Sequence, residues 1–169
     1  KEVFDLLHKL ENGDARVRKR FKNIVDICVT GQTKILSQLG IKYDYFDYES
    51  KYLFNNSVKN ILKRLEKTGK MLEDEHGRLY LDLHDYKLPM KNPVFVLTRG
   101  DKTSLYGPRD LAYTEYKMKR SKNNLLVLGE DQKLYYLQIK AGMDLLGLGM
   151  PDVIHYSFVL LKSGKMSTR

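Results

Sequence analysis

The chain begins with two stretches in which apolar residues recur every three or four positions. Residues 2–10 carry apolar side chains along one helical face, and a turn at residues 11–14 ends this helix. The same spacing over residues 15–39 predicts a long second helix, which Gly40 ends. Asp14 precedes that helix and is a candidate N-cap residue. The first part of the chain is therefore predicted to be helical.

The middle of the chain changes between extended and helical patterns. Residues 41–47 are rich in aromatic side chains and favour a strand. Residues 57–69 predict a short amphipathic helix with a cationic outer surface. Apolar stretches at residues 71–73 and 79–83 flank a turn and predict a β-hairpin. We expect residues 52–92 to form a helix-plus-hairpin insertion.

The last part of the chain alternates strand and helix patterns. Strands are predicted near Val94, at residues 125–129 and at residues 153–161, with helical segments between them. Strands joined through helices form parallel sheets with right-handed crossovers. Residues 125–129 show no polar alternation, as expected of a strand covered on both faces. The predicted fold class is α/β, with a partial parallel sheet and the small insertion.

The start of the helix after Val94 carries candidate chemistry. Gly107 is the predicted N-cap and Pro108 the predicted first helical residue, which brings Tyr106 and Asp110 together. Taken alone, Asp110 is most simply explained as a first-turn acid that complements the helix dipole. Gln132 follows the next strand, at the carboxyl edge where open α/β sheets bind ligands. We therefore expect Tyr106, Asp110 and Gln132 to surround one small molecule.

The charge and the cysteine content limit which binding partners and which cellular compartment we expect. The formal net charge of +9 favours an anionic partner such as nucleic acid, with a merely soluble basic surface as the alternative. A single cysteine, Cys28, cannot form an internal disulfide, which fits a reducing cytoplasm. No apolar run approaches the roughly twenty residues that cross a bilayer, so we expect no membrane partner. The chain opens at Lys1 rather than at Met, and we expect an excised piece of a longer protein.

Four motifs in the second half resemble those of one enzyme family. The terminal Gly-Lys-Met-Ser-Thr-Arg, residues 164–169, is similar to the second signature loop of class I aminoacyl-tRNA synthetases. Together with SLYGPRDLAY, VLGEDQ and HYSF, in this order, it resembles the arginyl-tRNA synthetases in particular. By this resemblance, residues 1–51 correspond to the end of the first half of a Rossmann-like catalytic domain. Residues 52–92 correspond to a connective insertion. Residues 93–169 correspond to the second half of the catalytic domain, which ends in the KMSTR loop.

The resemblance implies ATP-dependent activation of arginine and its transfer to tRNA. By analogy, Asp110 binds the substrate guanidinium through paired, charge-assisted hydrogen bonds. Tyr106 forms a wall of the arginine pocket, and Gln132 supplies a hydrogen-bonding group. Lys165 and Ser167 are the implied catalytic residues, and Lys165 sets positive charge against the charge that develops on phosphate.

The resemblance also implies an ATP site. Its residues would be His155, Gly164, Lys165, Met166 and Ser167. His155 is explained equally well as a structural histidine at a strand end, with its hydrogen bonds made inside the protein. Thr168 stands where many relatives have a second lysine, so a two-lysine mechanism is not expected. Magnesium is implied by ATP alone, since the sequence has no ligand cluster. No HIGH-like motif occurs in the sequence, so we expect this segment alone to be inactive and the parent protein to be a monomeric enzyme.

Two other interpretations stay open at this point. A non-catalytic RNA-binding module would use the basic segments 59–70 and 117–122 for phosphate contacts. Another class I synthetase, for example one for cysteine or glutamine, would give Asp110 no cation to pair with.

Overall fold

The computed structural model describes residues 2–158, 160–162 and 164–165, in two compact units, Lys1–Asn55 and Asn56–Arg169. The first unit is helical, and its helices are α1 (Glu2–Glu11), α2 (Ala15–Gln38) and α3 (Ser50–Phe54). Asp14 caps α2 as predicted, because its carboxylate accepts a hydrogen bond from the backbone N–H of Val17 at 2.9 Å. Within the described residues, no helix has the length and apolar character needed to cross a membrane.

The strand predicted over residues 41–47 is wrong. These residues form irregular backbone, and the side chains of Tyr43 and Tyr45 are exposed. Aromatic and β-branched residues favour a strand only where a neighbouring strand and a packing surface are available. None of the described strands pairs with this segment. The aromatic content therefore misled the prediction.

The second unit contains an antiparallel and a parallel sheet with packed helices. The antiparallel part comprises α4 (Ser57–Glu66), β1 (Met71–Glu73), β2 (Leu79–Asp82) and β3 (Val94–Val96). The parallel part comprises α5 (Tyr106–Arg120), β4 (Leu125–Gly129), α6 (Lys133–Leu145) and β5 (Asp152–Tyr156). A last antiparallel pair is formed by β6 (Leu160–Leu161) and β7 (Gly164–Lys165).

The predicted hairpin is confirmed, and a third strand joins it. The sheet has the order β1-β2-β3, with Leu81 opposite Met71 on one side and Phe95 on the other. Leu81 and Phe95 are buried. The strand at Val94 was expected in the parallel sheet, and this expectation is wrong. The connection from β2 to β3 contains only a short 3-10 turn, His84–Tyr86, which suits antiparallel neighbours better than a crossover.

The predicted parallel pair is confirmed for β4 and β5. The two strands pair in register from Leu125↔Asp152 to Gly129↔Tyr156, with α6 as the crossover helix. The strand predicted over residues 153–161 ends at Tyr156, and β6 belongs to a separate pair. The expected cover on both faces of β4 is also wrong for the described residues. Leu125 and Val127 are 59% and 61% exposed, so the helices cover only one face of this strand.

Candidate active site

The N-terminal end of α5 carries two of the predicted arginine-binding residues. The helix begins at Tyr106 with Leu105 as its N-cap, so Gly107, the predicted cap, is the second helical residue. Pro108 is the third, where its missing N–H costs nothing because the first N–H groups of a helix have no carbonyl partner. Asp110 lies in the second turn rather than the first. The helix dipole therefore acts on Asp110 less than predicted.

The loop before α5 is tied to the antiparallel sheet. The backbone N–H of Leu105 donates to the carbonyl oxygen of Leu97 at 2.8 Å. The guanidinium of Arg109 donates back to the carbonyl oxygen of Leu105 at 3.1 Å. Gly107 lies against the ring of Phe95, and a Cβ at this position would be 2.5 Å from Phe95 Cζ. Close packing, rather than a positive φ, is the reason for glycine here.

Tyr135, in the first turn of α6, connects the N-terminal ends of α5 and α6. Its hydroxyl donates a hydrogen bond to Oδ2 of Asp110. Its ring centroid lies 5.0 Å from that of Tyr106 and 6.0 Å from that of Phe95. The sequence analysis did not single out Tyr135. Its position one helical turn after Gln132 was the available signal, because residues three apart share a helix face.

Gln132 lies at the carboxyl end of β4, as predicted. It ends the 3-10 turn Glu130–Gln132 and is the N-cap residue of α6. Its side-chain amide donates to Oδ2 of Asp131 at 3.1 Å. Among the described contacts, this amide reaches neither Asp110 nor Tyr106. The structure therefore brings Tyr106 and Asp110 together through Tyr135 and sets Gln132 at the same end of α6.

His155 lies on β5, beside α6. Its ring makes an edge-to-face contact with Tyr136, at 5.8 Å between centroids and 85° between planes. Its Nδ1 atom is buried and has no hydrogen-bond partner within the described part of the chain. The hydrogen bond from Lys133 lowers the pKa of Glu130, and the charge of His155 adds a smaller lowering effect. His155 pairs with Leu128 of β4, one residue before the carboxyl end of that strand.

The start of the signature loop forms an antiparallel turn. Gly164 pairs with Leu161, and Lys165 pairs with Leu160. Gly164 has φ +120°, a conformation that residues with a side chain rarely adopt. The predictions for Met166 and Ser167 lie outside the described residues.

The predicted magnesium ion has no protein ligand set in the described part of the chain. Within residues 2–158, 160–162 and 164–165, no group of three or more His, Cys, Asp or Glu side chains is arranged to hold a metal ion. The described residues alone therefore do not form a magnesium site.

Some cations of the basic segments 59–70 and 117–122 pair with carboxylates of the same chain. Arg64 donates from Nη1 to both carboxylate oxygens of Glu115, at 3.0 and 2.9 Å. Lys119 reaches the same carboxylate at 2.8 Å. Lys70 pairs with Asp85 at 2.6 Å. Several of the cations that the sequence offered for phosphate contacts therefore hold carboxylates of the same chain.

Comparison with known proteins identifies the family. A family model described as tRNA synthetases class I (R), catalytic domain, matches residues 1–169. The chain belongs to this family. It is 38% identical over 173 residues to the arginine–tRNA ligase of Methanocaldococcus jannaschii, covering 99% of this chain and 30% of that protein. It is 36% identical over 170 residues to the arginine–tRNA ligase of Methanocella arvoryzae, again covering 30% of that protein.

A solved structure supports the fold of this class I synthetase segment. The arginyl-tRNA synthetase of Thermus thermophilus is similar with a TM-score of 0.72 at 20% identity, over 95% of this chain and 33% of that one. The predicted family and the predicted α/β fold are confirmed. The segment spans 30% of the length of the two curated relatives. The roles of the site residues and the insertion boundaries at residues 52–92 stay predictions.

Proposed function

We propose that the protein carrying this segment activates arginine with ATP and transfers it to tRNA. The observation that carries the arginine assignment is the Asp110 carboxylate in the second turn of α5, which accepts a hydrogen bond from the Tyr135 hydroxyl. A carboxylate offers a guanidinium two parallel, charge-assisted hydrogen bonds. Tyr106, whose ring packs against Tyr135, is 58% exposed and offers a ring face to the cation. Gln132, at the same end of α6, is the proposed amide contact to the substrate.

The proposed activation joins the arginine carboxylate to the α-phosphorus of ATP and breaks the bond to the leaving pyrophosphate. The protein contributes orientation of the two substrates and positive charge near the phosphates. Lys165 supplies that charge, and Gly164 allows the backbone of the loop to approach closely. Met166 and Ser167 complete the loop, and His155 borders the adenosine. Magnesium enters with ATP rather than on a protein site.

In the second step, the arginyl group passes from the adenylate to a terminal hydroxyl of tRNA, and AMP leaves. We propose a cytoplasmic location for this reaction. The lone Cys28 is exposed and unpaired with another cysteine, which fits a reducing compartment.

The other two candidate functions have weaker support. A phosphate-binding module would leave its cations available to phosphates, whereas Arg64 and Lys119 already pair with the carboxylate of Glu115. A synthetase for cysteine or glutamine would have no use for a carboxylate at position 110, because both substrates are uncharged. Family membership and this carboxylate together favour arginine.

ATP–pyrophosphate exchange by the full-length protein, with tRNA present, tests the proposal. Arginine, cysteine and glutamine are supplied one at a time. We expect exchange with arginine alone. Exchange with cysteine or glutamine but not with arginine would overturn the substrate assignment. Absence of exchange with all three amino acids would favour the non-catalytic module.

A further inference from the structure

We infer that Tyr135 is a positioning residue of the arginine site, which holds the Asp110 carboxylate in the orientation that a guanidinium needs. The inference rests on the proposed function, since it assigns a role within the proposed arginine pocket. The proposed role does not require Tyr135 to contact the substrate. Its effect would pass through the carboxylate that accepts its hydrogen bond.

The chemistry of the pair suits this role. An ionised carboxylate has about four lone-pair positions, and the phenol occupies one of them on Oδ2. A guanidinium binds a carboxylate through two parallel N–H···O bonds, so its binding depends on how the plane of the carboxylate is oriented. The phenol is neutral, so its hydrogen bond orients the carboxylate without cancelling its charge.

Packing from two other elements fixes the ring of Tyr135. Phe95 of β3 meets it edge-on, with the ring planes at 72°, and Phe95 is itself buried. Tyr106 of α5 meets it at 58°. A phenol has few rotatable bonds, so contacts on its ring also fix the direction of its hydroxyl. The hydroxyl of Tyr135 therefore reaches Asp110 from a support built by β3, α5 and α6.

The test is arginine-dependent pyrophosphate exchange by the full-length protein, with tRNA present. Tyr135→Phe removes the hydroxyl and keeps the ring contacts. We expect the KM for arginine to rise by about 10- to 100-fold, the range set by losing a hydrogen bond to a charged group. We expect kcat to change by less than about threefold and the KM for ATP to stay the same, because the lost interaction serves arginine binding.

Tyr86→Phe is the matched control. It also removes a tyrosine hydroxyl that donates to an aspartate, Asp144 Oδ2, at 2.8 Å. This pair lies between the 3-10 turn His84–Tyr86 and the C-terminal half of α6, away from the proposed pocket. We expect an unchanged KM for arginine. The thermal unfolding midpoint of both variants shows whether a change in KM reflects a general loss of structure.

A double-mutant cycle separates positioning from packing. In an Asp110→Ala background there is no carboxylate to orient, so Tyr135→Phe is expected to change kcat/KM for arginine by less than about twofold. An effect of Tyr135→Phe that persists at full size in this background would overturn the inference, because it would act through helix packing instead.

The remaining outcomes distinguish this inference from the proposed function. If Asp110→Asn raises the KM for arginine and Tyr135→Phe does not, the inference falls and the arginine site stands. A lower KM in Tyr135→Phe would also overturn it, because the hydroxyl would then compete with arginine for the carboxylate. If the unmodified protein shows no arginine-dependent exchange, the proposed function itself fails.

Discussion

Gly107 lies so close to the ring of Phe95 that a Cβ at position 107 would be 2.5 Å from Phe95 Cζ. Phe95 is buried in the antiparallel sheet and also supports the ring of Tyr135. The missing side chain at position 107 therefore sets how closely α5 approaches β3. It also affects where the hydroxyl that binds Asp110 is held.

Gly107→Ala should destabilise the protein and weaken arginine binding. Inserting a methyl group into a packed site typically costs about 1–3 kcal/mol, which exceeds the gain of about 1 kcal/mol from replacing a helical glycine by alanine. Gly31→Ala is the control, since the added Cβ in α2 would meet no atom within 4 Å apart from its own stretch of helix. It should raise the thermal unfolding midpoint. Equal effects of the two substitutions would contradict the close packing at Phe95.

Arg64→Ala should destabilise the contact between α4 and α5. Arg64 makes two hydrogen bonds to Glu115, whose side chain is 17% exposed, so losing them is expected to cost about 1–2 kcal/mol of unfolding free energy. Lys22→Ala breaks the exposed pair with Asp26 and should have little effect. Denaturant unfolding of both variants measures the difference. Similar small losses would show that the Glu115 pair adds nothing beyond a surface ion pair.

The contact between Arg64 and Glu115 also predicts that the stability of the protein falls at acidic pH. Burial alone would raise the pKa of Glu115, but hydrogen bonds from Lys119 and Arg64 and their charges lower it below the ordinary value of 4.5. A lowered folded pKa means that this stabilisation is present above pH 4.5 and is lost as the pH falls through the folded value. Unfolding measured between pH 7 and pH 3 should show a steeper acid loss than in Glu115→Gln. Parallel curves would contradict the lowered pKa.

The hydroxyl of Tyr86 should ionise at a higher pH than that of an ordinary tyrosine. Burial, followed by the hydrogen bond to Asp144 and the charge of that carboxylate, raises the pKa of Tyr86 to about 12. The unfolded chain releases this proton near pH 10, so the stabilisation is present below pH 10 and is lost as the pH rises toward 12. Carbon-13 NMR of labelled tyrosine, with Tyr86→Phe for assignment, measures the titration. Ionisation of Tyr86 near pH 10 would contradict the raised value.

Lys165→Ala should slow arginine activation. Removing one positive charge from a phosphoryl site typically lowers kcat by about a hundredfold or more. Lys162→Ala, in the same turn, is the matched control because Lys162 is exposed to solvent. The rate of single-turnover adenylate formation checks the expectation. Equal rates in the two variants would remove Lys165 from the proposed mechanism.

Several elements were predictable because their signals are local. The start of α2 follows from one capping residue, Asp14, whose carboxylate needs only the first helical turn. The hairpin of β1 and β2 follows from two short apolar stretches around a tight turn. The start of α5 was missed by two residues, since Pro108 is tolerated at more than one early helical position.

Other features depend on distant neighbours and were not readable from local pattern. The pairing of Val94 with Asp82 reflects a short connection to β2, whereas the pattern after Val94 indicated a parallel sheet. The irregular backbone at residues 41–47 reflects the lack of a described partner strand. Tyr135 lies one helical turn after Gln132, but its role depends on contacts with Asp110 and Phe95, which no local pattern specifies.

The central claim is that the carboxylate at position 110 binds the guanidinium of the substrate. The most direct measurement is the KM for arginine of Asp110→Asn in pyrophosphate exchange, beside Asp144→Asn, which alters another aspartate that accepts a tyrosine hydroxyl. We predict a rise of about a hundredfold or more for Asp110→Asn, because a charge-assisted pair is lost in a site built for it, and no change for Asp144→Asn. An unchanged KM for arginine in Asp110→Asn would contradict the account.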